Sequence, residues 1–142
     1  MKVTLDTNVL VRLATKDDLA QAAIAEQMLA KCSLVAVPNA VFCEFVWVLV
    51  RGYRYTPNQA AHAVRLLMQM RGVVCNTPAV MAGLAFLDAG GDFADGVIAF
   101  DGELLGGNEF VSFDHKAVQL LKGQKRKARW LHVSDALKTS DG

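Results

Sequence analysis

Short apolar runs alternate with helix-patterned segments along this chain, and that alternation limits its fold more than any other feature. Residues 3–5, 34–37, 73–75, 110–113 and 130–133 read as five short strands. Between them lie stretches of helical periodicity: Val9, Leu10 and Leu13 after Asp6-Thr7-Asn8, then residues 17–29, then the run 40–50. Thr56-Pro57 and Thr77-Pro78 each place an N-cap before proline at the first helical position, opening helices to about Met70 and Leu87. Residues 116–121 form a further short helix, and the tail after about Asp135 is expected to fray. Strands alternating with helices predict an α/β fold, a parallel sheet of about five strands covered by helices. At 142 residues, without repeats or a long linker, the chain is expected to be one domain, 1–142. Ligands of such sheets bind beyond the carboxyl ends of the strands, where Asp6 and Asp114 stand.

Carboxylates are concentrated around that edge. Asp92 and Asp95 lie three residues apart at a helix start, with Ala94, Val97, Ile98 and Ala99 forming the apolar side. Each aspartate alone can be read as a helix cap or a solvated side chain. Held together with Asp114, they repel one another, so protons or a cation must neutralise them. Glu44 is the only polar residue in AVFCEFVWVLV, residues 40–50. A carboxylate among apolar neighbours needs either an arginine, for which Arg12, Arg51 and Arg65 are candidates, or a shared cation. Oxygen donors without histidine or cysteine favour Mg²⁺ or Mn²⁺ over zinc, and such ions commonly meet phosphates.

Composition excludes several alternatives. A net charge of +1 provides no global field for a nucleic acid or a membrane, so any nucleic-acid site is local. The leading candidate is the run 122–129, in which Lys122, Lys125, Arg126 and Lys127 are expected to hold RNA backbone on the rim of the acidic site, with Arg12, Arg51 and Arg54 as the alternative. The longest apolar stretch, 34–50, is interrupted by Pro38, Asn39 and Glu44 and cannot span a bilayer. Cys32, Cys43 and Cys75 lack metal-ligand spacing and read as reduced thiols of a cytoplasmic protein. Trp47, Phe42, Phe86 and the five methionines are expected in the core, and Asp101 and Glu103 in solvent.

Four segments, in this order and at these spacings, resemble a known family: Asp6-Thr7-Asn8-Val9-Leu10, Glu44 in its apolar helix, Asp92-Phe93-Ala94-Asp95-Gly96-Val97-Ile98-Ala99, and Phe110-Val111-Ser112-Phe113-Asp114. They are similar to the signature of PIN-domain ribonucleases, and the size and motif wording resemble VapC-type toxins of bacterial toxin–antitoxin pairs. The resemblance runs from Lys2 to about Val133. It implies a three-layer sandwich, an acidic pocket for Mg²⁺ or Mn²⁺, endonucleolytic RNA cleavage, a homodimer and a small cognate antitoxin. By the same resemblance Asp6, Glu44, Asp95 and Asp114 would be the catalytic metal-holding acids, with Asn8, Ser112 and Asp92 in support. Gly96 stands where many members carry alanine, which would loosen the helix start. Two other readings remain: a non-catalytic RNA- or protein-binding module with a structural ion, and a receiver-like signalling domain. The latter wants an aspartate ending the middle strand, where this chain has Asn76.

Overall fold

A computed structural model describes residues 1–134; the tail expected to fray lies outside them. The elements in chain order are β1 (Lys2–Thr4), α1 (Thr7–Thr15), α2 (Leu19–Ala30), β2 (Leu34–Ala36), α3 (Asn39–Trp47), a π-helical turn (Val48–Gly52), α4 (Pro57–Gln69), β3 (Val73–Val74), α5 (Thr77–Asp88), α6 (Phe93–Leu104), β4 (Phe110–Ser112), α7 (His115–Gly123) and β5 (Ala128–Trp130). The fold is α/β, and every strand pair among the described residues is parallel.

The strands divide into two ladders, β1-β2-β3 and β4-β5, where one continuous sheet was expected. Val35 pairs with Val3 on one side and Val73 on the other, and Ser112 pairs with Trp130. With two or three residues per strand, each ladder has few rungs, so helix packing carries most of the architecture. The main core gathers Phe42, Phe45, Val64, Leu84 and Phe93 from α3, α4, α5 and α6. A smaller one joins Phe86 and Ala99 to Ala117 and Leu121 of α7.

Side chains set the helix starts. Thr56 Oγ1 accepts from the Gln59 amide at 3.1 Å while Gln59 Oε1 accepts from the Thr56 amide at 2.9 Å, a reciprocal cap on α4. Asp6, Asp92 and Asp114 cap α1, α6 and α7 in turn. At the end of α3 the chain widens by one residue, the Tyr53 amide reaching the Val48 carbonyl at 3.2 Å. That turn delivers the Tyr53 hydroxyl to Asp17 Oδ2 at 2.6 Å.

Helices α5 and α6 approach closely. A Cβ built on Gly96 would lie 2.4 Å from the Ala82 carbonyl oxygen, and one on Gly83 would lie 2.7 Å from the Phe93 ring. The glycines therefore set the depth at which α6, bearing Asp95, seats against its neighbour.

Candidate active site

Three acids of the site occupy equivalent positions, each following a strand or loop and capping the next helix. Asp6 Oδ1 accepts from the Thr7 amide at 2.7 Å, Asp92 Oδ1 from the Ala94 amide at 3.2 Å, and Asp114 Oδ1 from the Ala117 amide at 3.2 Å. Each cap engages one carboxylate oxygen and leaves the other without a partner among the described residues. Ser112 Oγ accepts from the Asp114 amide at 2.9 Å and so shapes the turn that presents Asp114. Asn8 lies exposed on the first turn of α1 and lines the same hollow as Asp6.

Glu44 departs from expectation. It is exposed rather than buried, because α3 turns Phe42, Phe45 and Val46 inward and points Glu44 and Trp47 outward. Its Oε2 accepts from Thr7 Oγ1 at 2.8 Å, and Thr7 is the one buried polar residue among those described. None of the candidate arginines holds it: Arg12 pairs with Asp17 at 3.2 Å and Arg65 with Asp88 at 2.7 Å, while Arg51 forms no ion pair among the described residues. Trp47, expected in the core, is 62% exposed, because it shares Glu44's face one turn on.

The acids fall into two groups flanking α3. Asp6, Thr7, Asn8, Arg12, Glu44 and Tyr53 line a hollow of about 420 Å³. Asp92 and Asp114 line another of about 330 Å³ with Trp47, Arg51 and Lys116. Asp95 is partly buried, and its carboxyl is pushed up to about 6 by burial first, then by the charges of Asp92 and Asp114. The same negative field reaches α3, where Cys43 is pushed up to about 11 by burial and then by Asp92 and Asp101. Asp101 is not simply solvated, since Asn39 Nδ2 donates to both of its oxygens at 3.1 and 3.2 Å.

The donor chemistry fits a hard cation. Asp6, Glu44, Asp92, Asp95 and Asp114 supply only oxygen, and none is ion-paired among the described residues. Among those residues no three acidic, histidine or cysteine side chains converge closely enough to enclose a metal ion. Zinc would require such a closed set, whereas Mg²⁺ retains several waters and needs one or two carboxylates.

The basic run is not on the rim. It leaves the C-terminal end of α7 and enters β5, which runs parallel to β4, so it sits at the opposite edge from Asp114. Nine residues of helix separate the two by about 13 Å. Arg126 is held by Glu103 at 2.6 Å and Arg129 by Glu109 at 2.6 Å, leaving Lys122, Lys125 and Lys127 outside any ion pair among the described residues. The cations that line the acidic hollow are Arg51 and Lys116, of which the sequence pattern alone did not single out Lys116. Its signal was position, two residues past a strand-end aspartate.

A family model described as the PIN domain matches residues 3–123. No curated protein matches the chain. None of the described helices is long and apolar enough to cross a membrane.

Proposed function

Because this chain belongs to the PIN-domain family, whose members are generally nucleases, we propose that it is a metal-dependent endoribonuclease of the VapC type. It would act in the cytoplasm as the toxin of a toxin–antitoxin pair, with 1–142 as one domain. The observation that carries the reading is a set of acids without an ion pair: the Asp95 carboxyl is pushed up to about 6 by burial first and then by the charges of Asp92 and Asp114, and none of the three is ion-paired among the described residues. A purely structural cluster would be expected to carry an arginine or lysine partner.

Asp6, Glu44, Asp95 and Asp114 would hold Mg²⁺ or Mn²⁺ largely through the ion's waters, since no three of them converge closely enough to enclose it, and Asp6 and Asp114 would offer the oxygens that their helix caps leave unengaged. When bound, the ion supplies neutralising charge and lowers the pKa of a water for in-line attack on phosphorus. Thr7 fixes Glu44, Ser112 fixes Asp114, and Asp92 deepens the field around Asp95. Asn8 presents an amide at the mouth of the Asp6 hollow, where it orients substrate or water. The attacking oxygen joins phosphorus as the P–O3′ bond breaks, leaving a 5′ phosphate and a 3′ hydroxyl.

Incubation of RNA with the protein and Mn²⁺ or Mg²⁺ tests this reading. Endonucleolytic cuts with those ends, abolished by EDTA and by Glu44→Gln or Asp95→Asn, are expected. Cutting that survives EDTA, or 2′,3′-cyclic phosphate ends, refutes it. The protein would work as a homodimer, and expression alone would arrest growth. A cognate antitoxin would relieve the arrest by burying a cation against the acids.

A further inference from the structure

Strand β5 returns from the basic loop to the edge that bears Asp114, where Trp130 pairs with Ser112. The Trp130 ring lies 4.2 Å from that of His115 at 42° and 4.9 Å from that of His132 at 69°. Its Nε1–H donates to the Phe113 carbonyl at 3.1 Å, which satisfies the polar edge of the indole and pins the ring. Phe113 itself is 71% exposed and Trp130 39%. One exposed apolar side chain requires no explanation. An indole in ring contact with two imidazoles and hydrogen-bonded to the backbone of an exposed phenylalanine, with Asp114 between Phe113 and His115 in sequence, does.

We propose that Phe113 and Trp130, with His115, form a stacking platform for an unpaired RNA base next to the scissile phosphate; this rests on the endoribonuclease reading above. The acids repel the phosphate backbone, and the lysines of the 122–127 run lie about 13 Å away across the length of α7. Beside Arg51 and Lys116, which line the acidic hollow, contacts indifferent to that repulsion would add affinity at the cutting edge. Base–aromatic stacking is such a contact, and it tolerates any base because every base has a π-face. Bases are free to stack in this way in single strands, loops and bulges, not inside an A-form duplex. Lys116, which follows His115 and lines the acidic hollow, is placed to meet the adjoining phosphate.

The protein has two tryptophans, so in a Trp47→Phe chain the indole fluorescence is that of Trp130 alone. With EDTA present to keep RNA intact, and at low ionic strength, an unpaired oligoribonucleotide should quench that fluorescence while the same sequence as a duplex should not. Phe113→Leu and Trp130→Ala should each weaken binding by about ten-fold or more, and Phe113→Tyr should retain it. Leucine keeps the apolar bulk and removes the π-face, so its loss of affinity is not a folding effect. Unchanged affinity in both variants overturns the platform and leaves the nuclease reading standing. A wild type with no RNA affinity in EDTA also overturns the platform, and the nuclease reading is then judged by metal-dependent cleavage alone. If Phe113→Leu dissociates a dimer without changing RNA affinity, the rings belong to a second copy and the platform is overturned.

Discussion

Two glycines of α6 should respond in opposite directions to the same substitution. At Gly96 an added Cβ would meet the Ala82 oxygen at 2.4 Å, the Ala82 carbonyl carbon at 2.9 Å and Gly83 Cα at 2.9 Å. All three are backbone atoms, so no rotamer change relieves the clash. Restoring an ordinary separation of about 3.4 Å requires α5 and α6 to part by roughly 1 Å at this point. Overpacking of this kind costs about 1–3 kcal/mol, against which alanine regains about 1 kcal/mol of helix propensity. Because the clash is with backbone, the upper half of that range applies, and Gly96→Ala should destabilise by about 1–2 kcal/mol net. At Gly102 nothing lies within 4 Å of the added carbon, so Gly102→Ala should gain up to about 1 kcal/mol. Urea denaturation in EDTA at fixed pH reads both, with unchanged m-values showing that stability alone has moved. The expected gap between the variants is about 2–3 kcal/mol, or several degrees in Tm. A Gly96→Ala protein as stable as Gly102→Ala would refute the close seating of α6. The expectation that Gly96 loosens the helix start would then stand in its place.

Mg²⁺ or Mn²⁺ at about ten times its Kd should stabilise the folded protein by about 1.4 kcal/mol, and Asp95→Asn should remove most of that shift in a thermal melt. Without metal, the Asp95 carboxyl is raised from 3.8 to about 6, so the folded state binds its proton more tightly than the unfolded state. Asp95's contribution to stability should therefore be fully present below pH 3.8 and lost as pH rises through about 6, a slope that Asp95→Asn flattens in denaturation curves taken in EDTA. Lys125→Gln with Lys127→Gln should lower the log–log salt slope of single-stranded RNA binding by about 0.7 for each phosphate no longer neutralised, while leaving saturated turnover unchanged. An unchanged slope would assign the run to plain surface and leave Lys116 and Arg51 to hold the backbone.

Some of the helix starts written locally were legible. Asp92 precedes α6 by one residue as its cap reading expected, whereas Asp6 and Asp114 cap α1 and α7 in a role the sequence reading had not singled out, although the preference of aspartate for that position is independent of distant packing. The same holds for Thr56-Pro57, whose capping box closes with Gln59. Features fixed by tertiary placement were not legible. The run 40–50 reads as wholly buried, yet the helical phase of α3 sends Glu44 and Trp47 to the surface while Phe42 and Phe45 fill the core. Met81, also expected inside, is exposed for the same reason of phase, and Met1 and Met70, which lie outside the helices, are exposed too. The run 122–129 is close to Asp114 in sequence, but α7 carries it to the far edge, and β5 brings back Trp130 rather than a cation. Strand β5 itself begins two residues earlier than the apolar pattern suggested, because Ala128 and Arg129 complete the ladder with β4.

The double duty of Asp6, Asp92 and Asp114 bears on how this chain would decay if selection on it were relaxed. At those positions alanine costs a helix cap, about 1 kcal/mol each, whereas asparagine, serine or threonine keeps the cap and discards the charge. Glu44 and Asp95 cap nothing, so drift there removes no helix cap. A descendant that had ceased to cut RNA would thus still show capping residues at 6, 92 and 114, mimicking an intact site. The history of its activity would be written at 44 and 95.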